Sequence, residues 1–148
     1  MRALLQRVSQ AQVTVDGQVT GAIGNGFLVL LGVGPDDTPQ IAERLWDKIR
    51  RLRVFDDAAG KMNLSLEAVG GSVLVVSQFT LYANCRRGNR PGFTDAAKPQ
   101  LANELYQHFC QVAARDVPVE TGIFAAEMQV SLTNDGPITI WLDSDDLF

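Results

Sequence analysis

The apolar and polar positions change period along the chain, and the changes mark out its elements. Arg2–Val15 reads as extended, with Val13 and Val15 flanking Thr14 in two-residue alternation; Asp16-Gly17 follows as a strong hairpin turn. Gln18–Ile23 is the expected return strand. Gly24-Asn25-Gly26 turns the chain again, and Phe27–Val33 is a nearly continuous apolar run, the pattern of a strand buried on both faces. The first third is therefore a β-meander. After it the period lengthens. Thr38 is a candidate N-cap and Pro39 suits the first helical position. Ile41, Leu45, Ile49 and Leu52 recur at helical spacing, predicting an amphipathic helix over Pro39–Arg53.

Val54–Gly70 has no sustained period. Lys61–Leu66 fits a short strand or a helical turn, and Gly70-Gly71 is a hairpin signal. Val73–Val76 predicts a second buried strand, which runs directly into Ser77-Gln78-Phe79-Thr80-Leu81. Pure aliphatics give way abruptly to hydroxyls and an amide, and a buried strand with a polar end is a common site architecture. Tyr82–Ala96 is a loop of small, basic and Gly/Pro residues, long for a domain of this size, and long ordered loops tend to be functional. Lys98–Arg115 is the second predicted helix, with Leu101, Leu105, Phe109 and Val112 on one face. The rest reads as β: Val119-Glu120, Met128–Thr133 and Ile138–Leu142. Asn134-Asp135-Gly136-Pro137 between the last two is turn chemistry, and the local reading is a surface turn. Pro137 fits that reading poorly, because it removes a donor where the next strand should begin to pair. The other reading is a rigid backbone wedge presented to something. Clustered strands with two isolated helices give an α+β class, mainly antiparallel, without repeats.

Composition narrows the class. The 148 residues, 46% hydrophobic and 20% charged, fit one globular domain. The N-terminal residues read as neither a signal peptide nor a membrane span. Cys85 and Cys110 make no disulfide framework or metal site, so a cytoplasmic protein with reduced thiols is expected. A net charge of −4 argues against non-specific binding to long nucleic acid. Basic residues nevertheless cluster at Arg44, Lys48, Arg50, Arg51 and Arg53, and again at Arg86, Arg87 and Arg90. Each cluster suits a solvated face or a local anion such as one end of an RNA.

Several kinds of chemistry fall away. His108, the single histidine, lies in the second predicted helix near its apolar stripe, where a structural role fits better than a Ser-His-Asp triad. No zinc-ligand spacing is visible, and Gly21–Gly26 lies between strands rather than opening a helix as a phosphate loop does. Cys85 is a nucleophile candidate without a partnered histidine. Ser77, Gln78 and Thr80 remain. On a strand, Gln78 and Thr80 would face one way and Ser77 and Phe79 the other, unless a bend blurs the division. They could hold a carbonyl, bind a ribose or form an oxyanion site, or simply satisfy a sheet edge.

At this point the ordered set of motifs resembles the D-aminoacyl-tRNA deacylase family. The motifs are Met1–Val8 with Val13–Gly17, Leu28–Val33, Gly60–Leu66, Ser77–Leu81, Thr121–Phe124 and Asn134–Pro137. The resemblance implies a barrel-like homodimer with active sites at the interface and no cofactor or metal. It implies a cis Gly136-Pro137 peptide inserted into the neighbouring subunit's pocket. It assigns the pocket to Ser77, Gln78, Phe79 and Thr80, with Met62 on its wall. The implied partner is a tRNA 3′ end carrying a D-amino acid or glycine, not DNA or a membrane. The implied activity is hydrolysis of that ester, assisted by the ribose 2′-OH, with Ser77 and Thr80 positioning substrate. Thr80 as a nucleophile lacks an apparent base. Gly92 stands where relatives often carry serine, and the tail Asp143–Phe148 extends past the matched motifs.

Overall fold

The computed structural model describes residues 1–148. In chain order the elements are β1 (Arg2–Val15), β2 (Gln18–Ile23), β3 (Gly26–Gly32), α1 (Pro39–Arg51), β4 (Phe55–Asp56), β5 (Met62–Leu64) and β6 (Ser72–Ser77). A 3-10 turn (Phe79–Tyr82), α2 (Pro99–Ala113), β7 (Val119–Thr121), β8 (Gln129–Asp143) and α3 (Ser144–Leu147) follow. The long strand β1 is the spine. Along one edge its second half pairs with β2 and its first half with β3, both antiparallel. Asp16 and Gly17, at φ 48° and 76°, form the predicted tight turn into β2. The other edge of β1 carries β8, also antiparallel.

β3 pairs with β6 and β6 with β7, and both of these pairings are parallel. At the far side, Thr20 Oγ1 of β2 lies 3.5 Å from the Thr121 carbonyl of β7, so the sheet curls into a nearly closed barrel. The architecture is α+β as expected, with a third, single-turn helix at the tail. The first three strands are not the expected meander, because β2 and β3 each pair with β1 and not with one another; a strand as long as β1 has room for both along one edge. Two further local expectations change. Gly70-Gly71 does not make a hairpin: β5 pairs back with β4, while β6 runs parallel beside β3. Two aliphatic strands buried on both faces suit a parallel pair with a helical crossover, and α1 lies in that crossover. Gly71 is small for a packing reason, since a Cβ there would sit 2.6 Å from Leu66 Cδ1.

The second change concerns Asn134–Pro137. Met128–Thr133 and Ile138–Leu142 are not the two arms of a hairpin. Both stretches lie along β1, with Asn134 opposite Val8 and Thr139 opposite Gln6. The ladder advances two residues on β1 and five on β8, so Asp135, Gly136 and Pro137 loop out as a wide bulge. A bulge tolerates the donor that Pro137 lacks, which removes the conflict with strand pairing.

Thr38 caps α1, its Oγ1 accepting from the Ile41 N–H at 3.3 Å. The helix stops at Arg51, two residues short of the periodic pattern, because the Leu52 N–H turns back to the Ile49 carbonyl at 3.2 Å. α2 begins at Pro99 after Lys98. Both helices cover one sheet face, where Trp46 and Phe109 meet edge-on with centroids 5.8 Å apart beside Phe27, Val29 and Val75. Val8, Val13, Ile23, Leu28, Leu74 and Val76 form a second cluster from the alternate positions. No helix is long and apolar enough to cross a membrane.

Candidate active site

The polar end of β6 is a change of backbone. The Gln78 N–H still reaches the Leu31 carbonyl at 2.8 Å, but the chain then enters the 3-10 turn. The two-faced strand division therefore does not apply beyond Ser77. The tighter turn lets the Gln78 side-chain amide donate to Thr80 Oγ1. As at any helical start, the leading N–H groups of the turn lack intrahelical acceptors.

Ser77, Gln78 and Phe79 line a cavity of about 570 Å³. Its other walls are Val33, Val76, Phe93, Ala96, Ala97, the start of α2 at Pro99 and Ala102, and Phe124–Ala126 with Met128 and Val130. Most of the lining is apolar, with polar groups gathered at the β6 end, the usual build of a small-ligand pocket. Phe79 and Phe93 meet edge-on, centroids 5.0 Å apart. Ala125 holds a left-handed backbone at φ 62°, uncommon for a residue with a Cβ. Thr80 is exposed and tied to the cleft through Gln78.

No activated protein nucleophile adjoins this end. The Thr80 hydroxyl has one side-chain partner, the Gln78 amide, which is not a base. His108 Nε2 sits 3.0 Å from Glu43 Oε1, bridging α2 and α1 as a structural contact. Burial pushes the Cys110 thiol up to about 12, which keeps it protonated and inert. Cys85 lies exposed in the loop before Gly92. Burial, reinforced by Asp37 and opposed by Arg2, also raises the Tyr82 phenol. What the site offers is a hydroxyl, an amide and backbone N–H groups, suited to holding a carbonyl while water attacks it.

The bulge of β8 lies elsewhere on the chain. Gly136-Pro137 is a cis peptide, Gly136 has φ 123°, and both residues are exposed. Its base is closed by Asn134, whose Nδ2 donates to the Arg7 carbonyl at 3.0 Å and the Ile138 carbonyl at 2.9 Å. Arg7, 6% exposed, donates from Nε to the Asp135 carbonyl at 3.2 Å and from Nη1 to the Val54 carbonyl at 2.7 Å. It also pairs with the Asp135 and Asp56 carboxylates at 3.3 and 3.4 Å. Met62, 58% exposed, pairs opposite Asp56 and so belongs to this neighbourhood; it does not line the cavity of its own chain. Arg7 is paired with Phe27, whereas Ser77 is paired with Leu31. Four residues of β3 thus separate bulge and cavity, about 13 Å along the strands.

Of the residues named from the sequence, Ser77, Gln78 and Phe79 line the cavity, Thr80 touches it only through Gln78, and Gly136-Pro137 is cis; three neighbouring groups were not named as site residues. Arg7 sits in an alternating strand, where nothing local distinguishes a buried arginine from an exposed one. Asn134 read as turn chemistry rather than a clamp. The apolar walls, Phe93, Ala96, Ala97 and Phe124–Ala126, come from loops without periodicity; of these only Phe124 fell within a motif singled out in the sequence.

Fold and site together define an α+β protein with a nearly closed barrel-like sheet, an apolar cleft with a polar end, and a separate backbone bulge anchored by Arg7 and Asn134. Comparison with known proteins narrows this class. The family model described as D-Tyr-tRNA(Tyr) deacylase matches residues 4–143. The D-aminoacyl-tRNA deacylase of Anaeromyxobacter dehalogenans is 61% identical, and that of Fervidobacterium nodosum 56%, each over the full length of both chains. Among solved structures, one titled c-Myc DNA Unwinding Element Binding Protein superposes with a TM-score of 0.92 at 40% identity, covering 97% of this chain and 98% of the other. A second, titled as a probable eukaryotic D-amino acid tRNA deacylase, shares the fold with a TM-score of 0.81 at 18% identity, covering 95% and 97%. The chain belongs to the D-aminoacyl-tRNA deacylase family and is a hydrolase of that family.

Proposed function

We propose that this protein, as a cytoplasmic homodimer, removes D-amino acids and glycine from tRNA while sparing L-aminoacyl-tRNA, the Gly136-Pro137 bulge of each subunit entering the other's cleft. The observation that carries this reading is the separation of bulge and cleft. On one chain they lie at different ends of β3, the bulge is exposed, and Arg7 fixes its backbone. A second copy brings the two together without rearranging either. It also brings Met62 toward the cleft, because Met62 travels with the bulge through Asp56.

The selectivity follows from geometry. D and L residues carry the same groups, so burial alone separates them poorly, and discrimination needs an obstacle on one side of the α-carbon. A backbone bulge closed by Asn134 and held by a buried arginine cannot swing aside as a side chain can. An L side chain meets it, a D side chain points away, and glycine has nothing to clash. Such a filter reads no side-chain chemistry and accepts many D-amino acids.

The cleft receives the terminal nucleoside against its apolar walls, with the ester carbonyl at the polar end formed by Ser77, Gln78, Phe79 and Thr80. The aminoacyl ester is already activated. Water adds to its carbonyl, assisted by the adjacent ribose 2′-OH; the ester C–O bond breaks and the ribose oxygen leaves with a proton. The protein positions the carbonyl and stabilises the developing oxyanion. A net charge of −4 suits contact with a short RNA end better than contact along duplex DNA. The deciding assay is incubation with D-aminoacyl-, L-aminoacyl- and glycyl-tRNA. Loss of the D and glycyl esters with the L ester intact is expected; equal loss of D and L sinks the filter, and no loss of any sinks the enzyme reading.

A further inference from the structure

Unpaired cations gather at the rim of the cleft. Between Asn84 and Lys98 the chain carries Arg86, Arg87, Arg90 and Lys98 against one carboxylate, Asp95, in a protein of net charge −4. All three arginines are exposed. None joins an ion pair; the arginines that do are Arg2, Arg7, Arg50 and Arg51. Asp95 faces the Asn84 side-chain amide instead, at 3.4 Å. The basic cluster on α1 is different, because its arginines, though not Lys48, are engaged. Arg50 spans Asp47 and Glu67, Arg51 meets Asp47, Arg53 binds Asn63, and Arg44 stacks on the Phe148 ring at 4.0 Å.

The rim loop also has a defined shape. Asn84 and Gly92 exchange both backbone hydrogen bonds, at 2.7 and 2.9 Å, which pinches the loop at its base. Asn84 Oδ1 accepts from the Arg86 N–H at 3.1 Å, and Gly88 turns the tip at φ 66°. The base is fastened to the cleft, since Gly92 leads into Phe93, whose ring packs on Phe79. Three neighbouring guanidinium groups without acids repel one another until an anion arrives, and their planar forks match phosphate oxygens.

We infer that the Arg86–Arg90 loop is a phosphate clamp for the single-stranded RNA just 5′ of the terminal nucleoside. The inference rests on the aminoacyl-tRNA reading of the cleft. Phe93 ties this loop to the cavity wall, so a ligand whose last nucleoside fills the cavity and whose chain leaves on the Phe93 side brings its next phosphates to these arginines. Such contacts are blind to base identity and act on binding rather than on the ester.

The test compares the full-length protein with R86A/R87A/R90A and with the triple lysine variant. Binding of deacylated tRNA is measured from 50 to 200 mM salt, and hydrolysis is measured on D-aminoacyl-tRNA and on 3′-O-(D-aminoacyl)adenosine, which has no phosphate. With three phosphate contacts, wild-type affinity should fall about 20-fold more steeply over that range than that of the alanine variant. The alanine variant should show a raised KM and unchanged kcat on tRNA and normal hydrolysis of the adenosine ester; the lysine variant should keep the salt slope. An unaltered salt slope in the alanine variant overturns the clamp, as does an equal loss on both esters. If wild-type protein cleaves neither ester the deacylase reading fails, and the salt slope still decides the clamp.

Discussion

Thr80 is where a nucleophile and a positioning group part company. Its hydroxyl meets an amide and no base, so Thr80→Ala should keep deacylation within about tenfold of wild type, the cost of one hydrogen bond. Removing a true nucleophile costs on the order of 10⁴-fold or more, and single-turnover hydrolysis of a D-aminoacyl-tRNA distinguishes the two. Cys110 gives a second prediction at this scale. Burial raises its pKa from 9.0 to about 12, so the folded state holds the thiol proton more tightly than the unfolded chain does. The stability this contributes is fully present below about pH 9 and is lost as pH rises toward 12. Thermal melts across that window should fall with pH in wild type and fall less steeply in Cys110→Ala, whatever the absolute cost of the cavity. The sequence already offered Thr80 no apparent base, and the fold brings none to it. The desolvation of Cys110 could not be read there, because it depends on residues distant in the chain.

The bulge in β8 is an element defined by its supports. At Gly136 a Cβ would lie 2.9 Å from Ile138 Cγ1 and 3.3 Å from Arg7 Nη2, at a φ of 123° that disfavours any side chain. Gly136→Ala should therefore shift the bulge and raise hydrolysis of L-aminoacyl-tRNA relative to D, measured as the ratio of the two kcat/KM values. Arg7→Ala removes charge-assisted hydrogen bonds to the Asp135 and Val54 carbonyls. It should cost about 2–3 kcal/mol in urea denaturation and loosen the same ratio. If the D/L ratio holds in both variants, the bulge is not the filter. The barrel seam offers an independent check. A Cβ at Gly21 would sit 2.5 Å from the Thr121 carbonyl, while one at Gly24 would find its nearest neighbour at 4.0 Å. Gly21→Ala should destabilise by about 1–3 kcal/mol through overpacking, with Gly24→Ala as the near-neutral control. Elements with strong local signals were legible: the Asp16-Gly17 hairpin, the Thr38-Pro39 helix start and the two aliphatic strands. At Asn134–Pro137 the sequence left a surface turn and a rigid wedge both open, because turn residues look the same whether the chain reverses or bulges and continues.

For the whole molecule, the proposed cross-subunit arrangement makes a prediction that one chain cannot. Gly136→Ala subunits keep an intact cleft, and subunits with Gln78→Ala keep an intact bulge. In mixed dimers one of the two sites combines both intact parts, so mixing should restore a selective D-specific activity that neither variant shows alone. Absence of restoration, with mixed dimers verified by mass, sinks the arrangement. The sequence by itself determined the first three strands and the turn between β1 and β2, both helices, the buried strands and the two chemically distinctive stretches, because periodicity, caps and Gly/Pro chemistry act over a few residues. That β3 returns to β1 rather than to β2 as in a meander was decided by tertiary pairing. Tertiary structure alone decided that β6 runs parallel to β3, that Arg7 anchors the bulge, that loop residues wall the cleft, and that bulge and cleft lie apart on one chain. Those outcomes depend on which distant surfaces bury each other, and the pattern of a single strand or loop carries no record of its partner.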